Sequence, residues 1–199
     1  MPYDNQEFQT SYRGVNLDAS VTTKESSIGS SDSSFSDDCV YSSEGISQSL
    51  GELPRVRAYD VAVYILNKLG SCTSMKLHKL LYFCQAWSLV WDEKPLFSEE
   101  IEAWANGPVI KDLFAYHRGL YVVTSADFPT GNPNLLNDAQ KETIDAVLEF
   151  YGNKSAQYLI NLTHSERPWI DARKGLEPME RGNKVITLDA MANYYSSLQ

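Results

Sequence analysis

Residues Met75 to Val109 read MKLHKLLYFCQAWSLVWDEKPLFSEEIEAWANGPV, and the fold class turns on this stretch. Leu77, Leu80, Leu81, Cys84, Trp87 and Trp91 recur at spacings of three and four, which predicts one amphipathic helix over Met75–Trp91. Thr73 and Ser74 are side chains that accept from the first free backbone N–H groups, so the helix starts there. Lys94-Pro95 stops it, because proline disfavours helical geometry in the residue before it. Leu96 to Trp104 then returns in extended form, and Gly107-Pro108 opens a third helix running to Arg118, with Pro108 in the first turn where its missing N–H costs nothing. Trp87, Trp91 and Trp104 point to an aromatic core, since each such ring buries about 150–250 Å².

On either side the same pattern continues. Ala58 to Leu69 reads as a first helix capped by Gly70, with Val61, Ile65, Leu66 and Leu69 inward. Asn137 or Asp138 starts a helix carrying Ile144, Val147, Leu148 and Tyr151, closed by Gly152. Ser155 caps a short helix to Thr163, Pro168-Trp169 begins another turn, Val185-Ile186 is extended, and Thr187 caps a last helix with Met191, Tyr194, Tyr195 and Leu198. The fold class expected is mainly α, a compact helical domain over 54–199 with a small extended patch.

Residues 1–53 differ in kind. Nine acidic side chains stand there against Arg13 and Lys24, so most of the chain's net charge of −9 lies in this serine-rich stretch. Its apolar residues have no period, and such a segment cannot bury enough surface to offset its ordering entropy. It is expected to be disordered alone, with Tyr3, Phe8, Tyr12, Phe35 and Tyr41 as anchors should it fold onto a partner.

The acidic balance disfavours broad binding to nucleic acid and to anionic membrane surfaces. Lys76 and Lys79, with Arg55 and Arg57 upstream, are the nearest approach to a phosphate footprint. Cys39, Cys72 and Cys84 lack CxxC spacing and fit reduced cytoplasmic thiols, with Cys84 packed as a small hydrophobe. No secretory leader and no run of about 18 apolar residues is read, so a cytoplasmic protein without a membrane partner is expected. His78, His117 and His164 stand apart without zinc spacing, and neither a GxSxG elbow nor a phosphate-binding glycine loop occurs. Glu100 and Glu102 share one face of an extended segment and read as solvated charges. No catalytic, cofactor or metal residues are therefore assigned.

The run Lys76 to Phe83, then Ala86-Trp87, Pro95-Leu96-Phe97, Glu99, Ile101 to Trp104 and Gly107-Pro108-Val109, resembles the core signature of the Panacea (SocA-like) antitoxin domain, a family that includes phage-associated GepA-type proteins. Leu162-Thr163-His164, Pro168-Trp169, Ile186 and Tyr194-Tyr195 are similar to its closing part. The resemblance implies a non-enzymatic protein that neutralises a cognate toxin by direct contact, and in one branch delivers that toxin to a AAA+ protease. Its motif residues here are Leu80, Phe83, Trp87, Phe97, Glu102, Trp104, Gly107, Pro108, His164, Pro168 and Trp169, read as structural. Two other readings stand beside it: a hydrolase using His164 with a carboxylate, and a DNA-binding regulator acting through the helical domain.

Overall fold

The computed structural model describes residues 56–198, so the disorder expected of residues 1–53, with Cys39 and Arg55, lies outside the described residues. Seven α-helices and two small antiparallel sheets occur within them. Helix α1 (Ala58–Leu69) ends at Gly70, whose φ of 75° lets its N–H return to the Leu66 carbonyl. Strand β1 (Cys72–Thr73) leads into α2 (Ser74–Trp91), where the Thr73 hydroxyl accepts from the Lys76 N–H. The hairpin β2 (Ile101–Trp104) and β3 (Gly107–Ile110) precedes α3 (Lys111–His117) and β4 (Val122–Val123), which pairs with β1. Helices α4 (Asp138–Tyr151), α5 (Ala156–His164) and α6 (Arg167–Ala172) follow, then β5 (Val185–Ile186) on the free edge of β2, and α7 (Leu188–Ser196). Asn137, Ser155 and Thr187 each cap their helix through a side-chain oxygen, in keeping with the sequence pattern.

The mainly helical fold class holds. Two details of the central stretch do not. First, α2 is not amphipathic: every residue from Leu77 to Ser88 is buried, because α1, α4, α5, α7 and β3 pack around it. Its polar side chains stay inside because each finds a partner in another segment. Gln85 shows how: its Oε1 accepts from the Leu96 and Phe97 N–H groups at 2.9 and 3.1 Å, and its Nε2 donates to the Phe97 carbonyl. One side chain thereby fixes the turn that brings the chain back along α2.

Second, Gly107-Pro108 does not open a helix. It forms the return strand of a hairpin whose loop is Ala105-Asn106, with Trp104 opposite Gly107 and Ala103 opposite Pro108. The Ala103 N–H points the other way, to the Lys184 carbonyl, and its own carbonyl accepts from Arg173. The Ala103–Pro108 pair is thus a non-hydrogen-bonded one on an edge strand, where proline's missing donor breaks no ladder bond. Helix α3 begins only at Lys111.

Candidate functional site

The eleven motif residues fall into two groups. Leu80, Phe83, Trp87 and Phe97 are buried in the apolar core. Phe83 stacks on Tyr151 with ring centroids 4.3 Å apart, and Trp87 meets Tyr195 edge-on at 5.0 Å. Trp104, Gly107, Pro108, His164 and Trp169 instead form a run of contacts that leads from Lys79 through the hairpin to α6. The Lys79 Nζ donates to the Pro108 carbonyl at 2.9 Å. Gly107 has φ of 96°, and a Cβ there would lie 2.6 Å from Lys79 Cε and 3.0 Å from Thr163 Oγ1, so both backbone and space require glycine. The Trp169 indole N–H donates to the Trp104 carbonyl at 3.0 Å, while the His164 ring stacks on Trp169 at 4.0 Å. Pro168 is buried in the first turn of α6, which sets the direction of Trp169. Glu102 receives the Trp104 indole N–H at 2.7 Å and faces Lys111 at 3.7 Å. Glu100, its expected neighbour on that face, is exposed.

Lys79 is therefore not part of a cationic surface; it is fully buried, and burial holds its ammonium down to about 7. Lys76 and Arg57 are likewise spent on backbone, donating to the Gly152 and Thr130 carbonyls. Three of the four residues of the expected phosphate footprint are thus engaged by backbone carbonyls within the fold, and Arg55 lies outside the described residues.

Two of the three histidines, far apart in sequence, meet. His78 Nε2 lies 2.9 Å from His117 Nε2, and His78 Nδ1 accepts from the Ile110 N–H at 3.2 Å. An acceptor Nδ1 carries no proton, so the neutral ring holds its proton on Nε2 and donates it to His117. Burial first, then the charge of Lys79 and the neighbouring His117, pushes His78 well below its usual range. This tautomer leaves neither nitrogen of His78 free for a metal without an imidazolate, and no group of three metal-ligating side chains occurs among the described residues. His164 is also held down, by burial and then by Lys79 and Arg173; its buried Nε2 has no hydrogen-bond partner among the described residues. Among the described residues no carboxylate of the kind a hydrolase reading requires reaches that atom.

Several organising residues carry no signal in a single sequence. Glu166 is fully buried, with the Tyr82 hydroxyl donating at 2.8 Å and the Tyr195 hydroxyl 2.9 and 3.1 Å from its two oxygens. Burial, then the Glu166 carboxylate, raises both tyrosines well above their ordinary values. Arg173 donates to the Ala103 carbonyl and to those of Glu177, Pro178 and Glu180, which clamps the loop before β5 onto the hairpin. Only the tertiary fold brings these partners within reach.

Beside the Lys79 cluster lies an open groove of about 950 Å³ between the start of α2, the hairpin and α3. Val109, Phe114 and Trp104 line it, with Lys111, Arg118 and Arg181 on the rim, and Glu102 is the acid among the lining residues. At its α2 end, Met75 runs into an exposed apolar patch with Leu120, Tyr121 and Val122, held there because the Ser74 N–H donates to the Tyr121 carbonyl.

Residues 77–170 match the family model described as antitoxin SocA-like, Panacea domain. Over these residues the chain is similar to the Panacea domain. The matched span begins in α2 and ends just past Trp169, so it encloses Lys79, the hairpin and the His164–Trp169 stack. No curated protein and no solved structure matches the chain. Among the described residues no helix is long and apolar enough to cross a membrane.

Proposed function

We propose that this chain is a cytoplasmic antitoxin that neutralises a cognate protein toxin by direct contact and not by catalysis. The observation that carries the reading is the family match over 77–170. In physical terms the motif residues hold a rigid platform: Lys79 ties α2 to the hairpin, and Trp169 ties the hairpin to α6. A rigid platform offers a partner its surface without further ordering cost. The patch of Met75, Leu120, Tyr121 and Val122 is the contact surface assigned to the toxin, because clustered exposed apolar side chains on a soluble domain mark interaction sites. Tyr121 is its centre, 79% exposed and aromatic, the residue class that dominates interface energetics. A AAA+ protease as second partner is the adaptor form of the same reading.

The test is co-expression of the full chain with the product of the adjacent reading frame. Rescue of growth together with a co-purifying complex is expected, and Tyr121→Glu should lose both while remaining folded. A neighbour that is not toxic alone, or toxicity that this chain fails to relieve, overturns the proposal. Release of the toxin's degradation in a protease-deficient host would separate adaptor from simple blocker.

A further inference from the structure

We infer that the cationic groove beside the hairpin is a docking site for the chain's own acidic N-terminal segment, with Phe35–Tyr41 as the seated part. Charge comes first. The chain has 26 acidic residues against 17 basic, yet the groove rim gathers Lys111, Arg118 and Arg181 with Glu102 alone opposing them. Residues 1–53 carry the opposite excess, nine acids to two bases. Within them Phe-Ser-Asp-Asp-Cys-Val-Tyr, residues 35–41, sets two carboxylates between two aromatic side chains. That pattern suits a groove with an apolar floor of Val109, Phe114 and Trp104 beneath a basic rim.

The place where the described chain begins also fits. Tyr59, near the start of α1, donates to the Asp112 carbonyl and packs edge-on against Tyr116, both on α3. Lys111, Phe114 and Arg118 on the groove side belong to the same short stretch. Tyr59 and the groove thus use different residues of α3, and an α-helix is about 10–12 Å across. The sequence separation from Tyr41 to Val56 is long enough, since a coil of that length spans roughly 20 Å. Docking in cis therefore requires no extended linker, and the tether gives a high effective concentration even for a weak contact.

The inference is independent of the antitoxin reading, and its test involves no toxin. A nitroxide attached to Cys39 in the full chain reports the contact, because Cys72 and Cys84 are buried thiols of low reactivity. Loss of the Trp104 indole N–H signal and of the Lys111–Arg118 amide signals is expected, with recovery on reduction of the nitroxide. The loss should disappear in about 1 M salt, where the screening length falls to about 3 Å, and in a Lys111→Glu, Arg118→Glu, Arg181→Glu variant. Intact signals at low salt overturn the proposal, as does a loss that survives charge reversal. Mixing spin-labelled chains with isotope-labelled, unlabelled-cysteine chains separates the occupants: loss confined to the mixed pairs would identify a second copy's segment and overturn docking in cis.

Discussion

Along one side of α2, Phe83 and Trp87 meet aromatic side chains of α4 and α7, with Leu80 buried among the apolar core; along the opposite side, His78, Lys79, Tyr82 and Gln85 meet backbone groups and ionisable partners. Both sides are equally buried, but they fold for different reasons. On the aromatic side the gain grows with area removed from water, and no single geometry is required of any one contact. On the polar side each group must find its partner, since a buried donor or acceptor left alone costs more than a good hydrogen bond returns. The first side supplies stability. The second fixes where the hairpin and α6 sit, and so shapes the groove and its apolar flank.

The largest effect expected on either side is Trp87→Ala. Trp87 is fully buried against Tyr195, so about 3–5 kcal/mol of stability should be lost, read as the shift in a urea unfolding midpoint. A loss under 1 kcal/mol would mean that the aromatic side is not the source of stability. Next comes Gly107→Ala on the polar side, at about 2–4 kcal/mol, combining positive-φ strain with the collision against Lys79 and Thr163. Repeating it in a Lys79→Ala background removes one collision partner and leaves the strain, so the cost should shrink. An unchanged cost in that cycle would show that Lys79 and Gly107 are not coupled.

What the sequence makes legible follows the same division. Helix ends are readable because their signals are local: Thr73, Asn137, Ser155 and Thr187 cap through their own side chains, and Gly70 takes the positive φ its position needs. The apolar stripe of α2 is readable too, but it describes only one side of a helix that is buried on all of them. Nothing local says that Lys79 belongs inside, because its partner, the Pro108 carbonyl, lies 29 residues away. The His78–His117 pair and the Glu166 cluster are invisible for the same reason. The hairpin is a different case. Asn106-Gly107 is a local hairpin signal because Gly107 takes the positive φ that follows the Ala105-Asn106 loop, and it outweighs the helix-start reading of Gly107-Pro108.

The remaining predictions use pH, which near neutrality should act on the polar side and leave the aromatic side unmoved. Lys79 stays protonated to about 10.5 when unfolded but only to about 7 when folded. Between these values the unfolded chain holds the extra proton, so stability rises with pH. From about pH 7 to about pH 8.5 the gain should be about 1.5–2 kcal/mol, and Lys79→Met should flatten it. Above about pH 9 burial, which lifts Cys72 to about 11, keeps its thiol protonated in the fold alone and cancels the rise, and the buried Cys84 thiol, raised further still, turns the trend downward. A flat profile in the wild type would mean that Lys79 keeps its charge inside.

The smallest effect is that of His78, and it runs in the same direction at lower pH. Its folded value lies well below the ordinary 6.5, so on acidification the unfolded ring takes up a proton that the folded ring refuses, and stability falls. The loss sets in as pH falls through the ordinary 6.5, and His117 and His164, also lowered by burial, add in the same sense. Nitrogen chemical shifts give the direct check: at pH 5.5 His78 should remain neutral, protonated on Nε2 and bare on Nδ1, as the Ile110 N–H requires. An imidazolium there would break the assignment, since Nδ1 would then meet the Ile110 donor with a second donor. The aromatic side provides the control. Trp87 has no such proton to exchange, so the penalty of Trp87→Ala should be the same at pH 5.5 as at pH 7.5, while the wild-type stability beneath it moves.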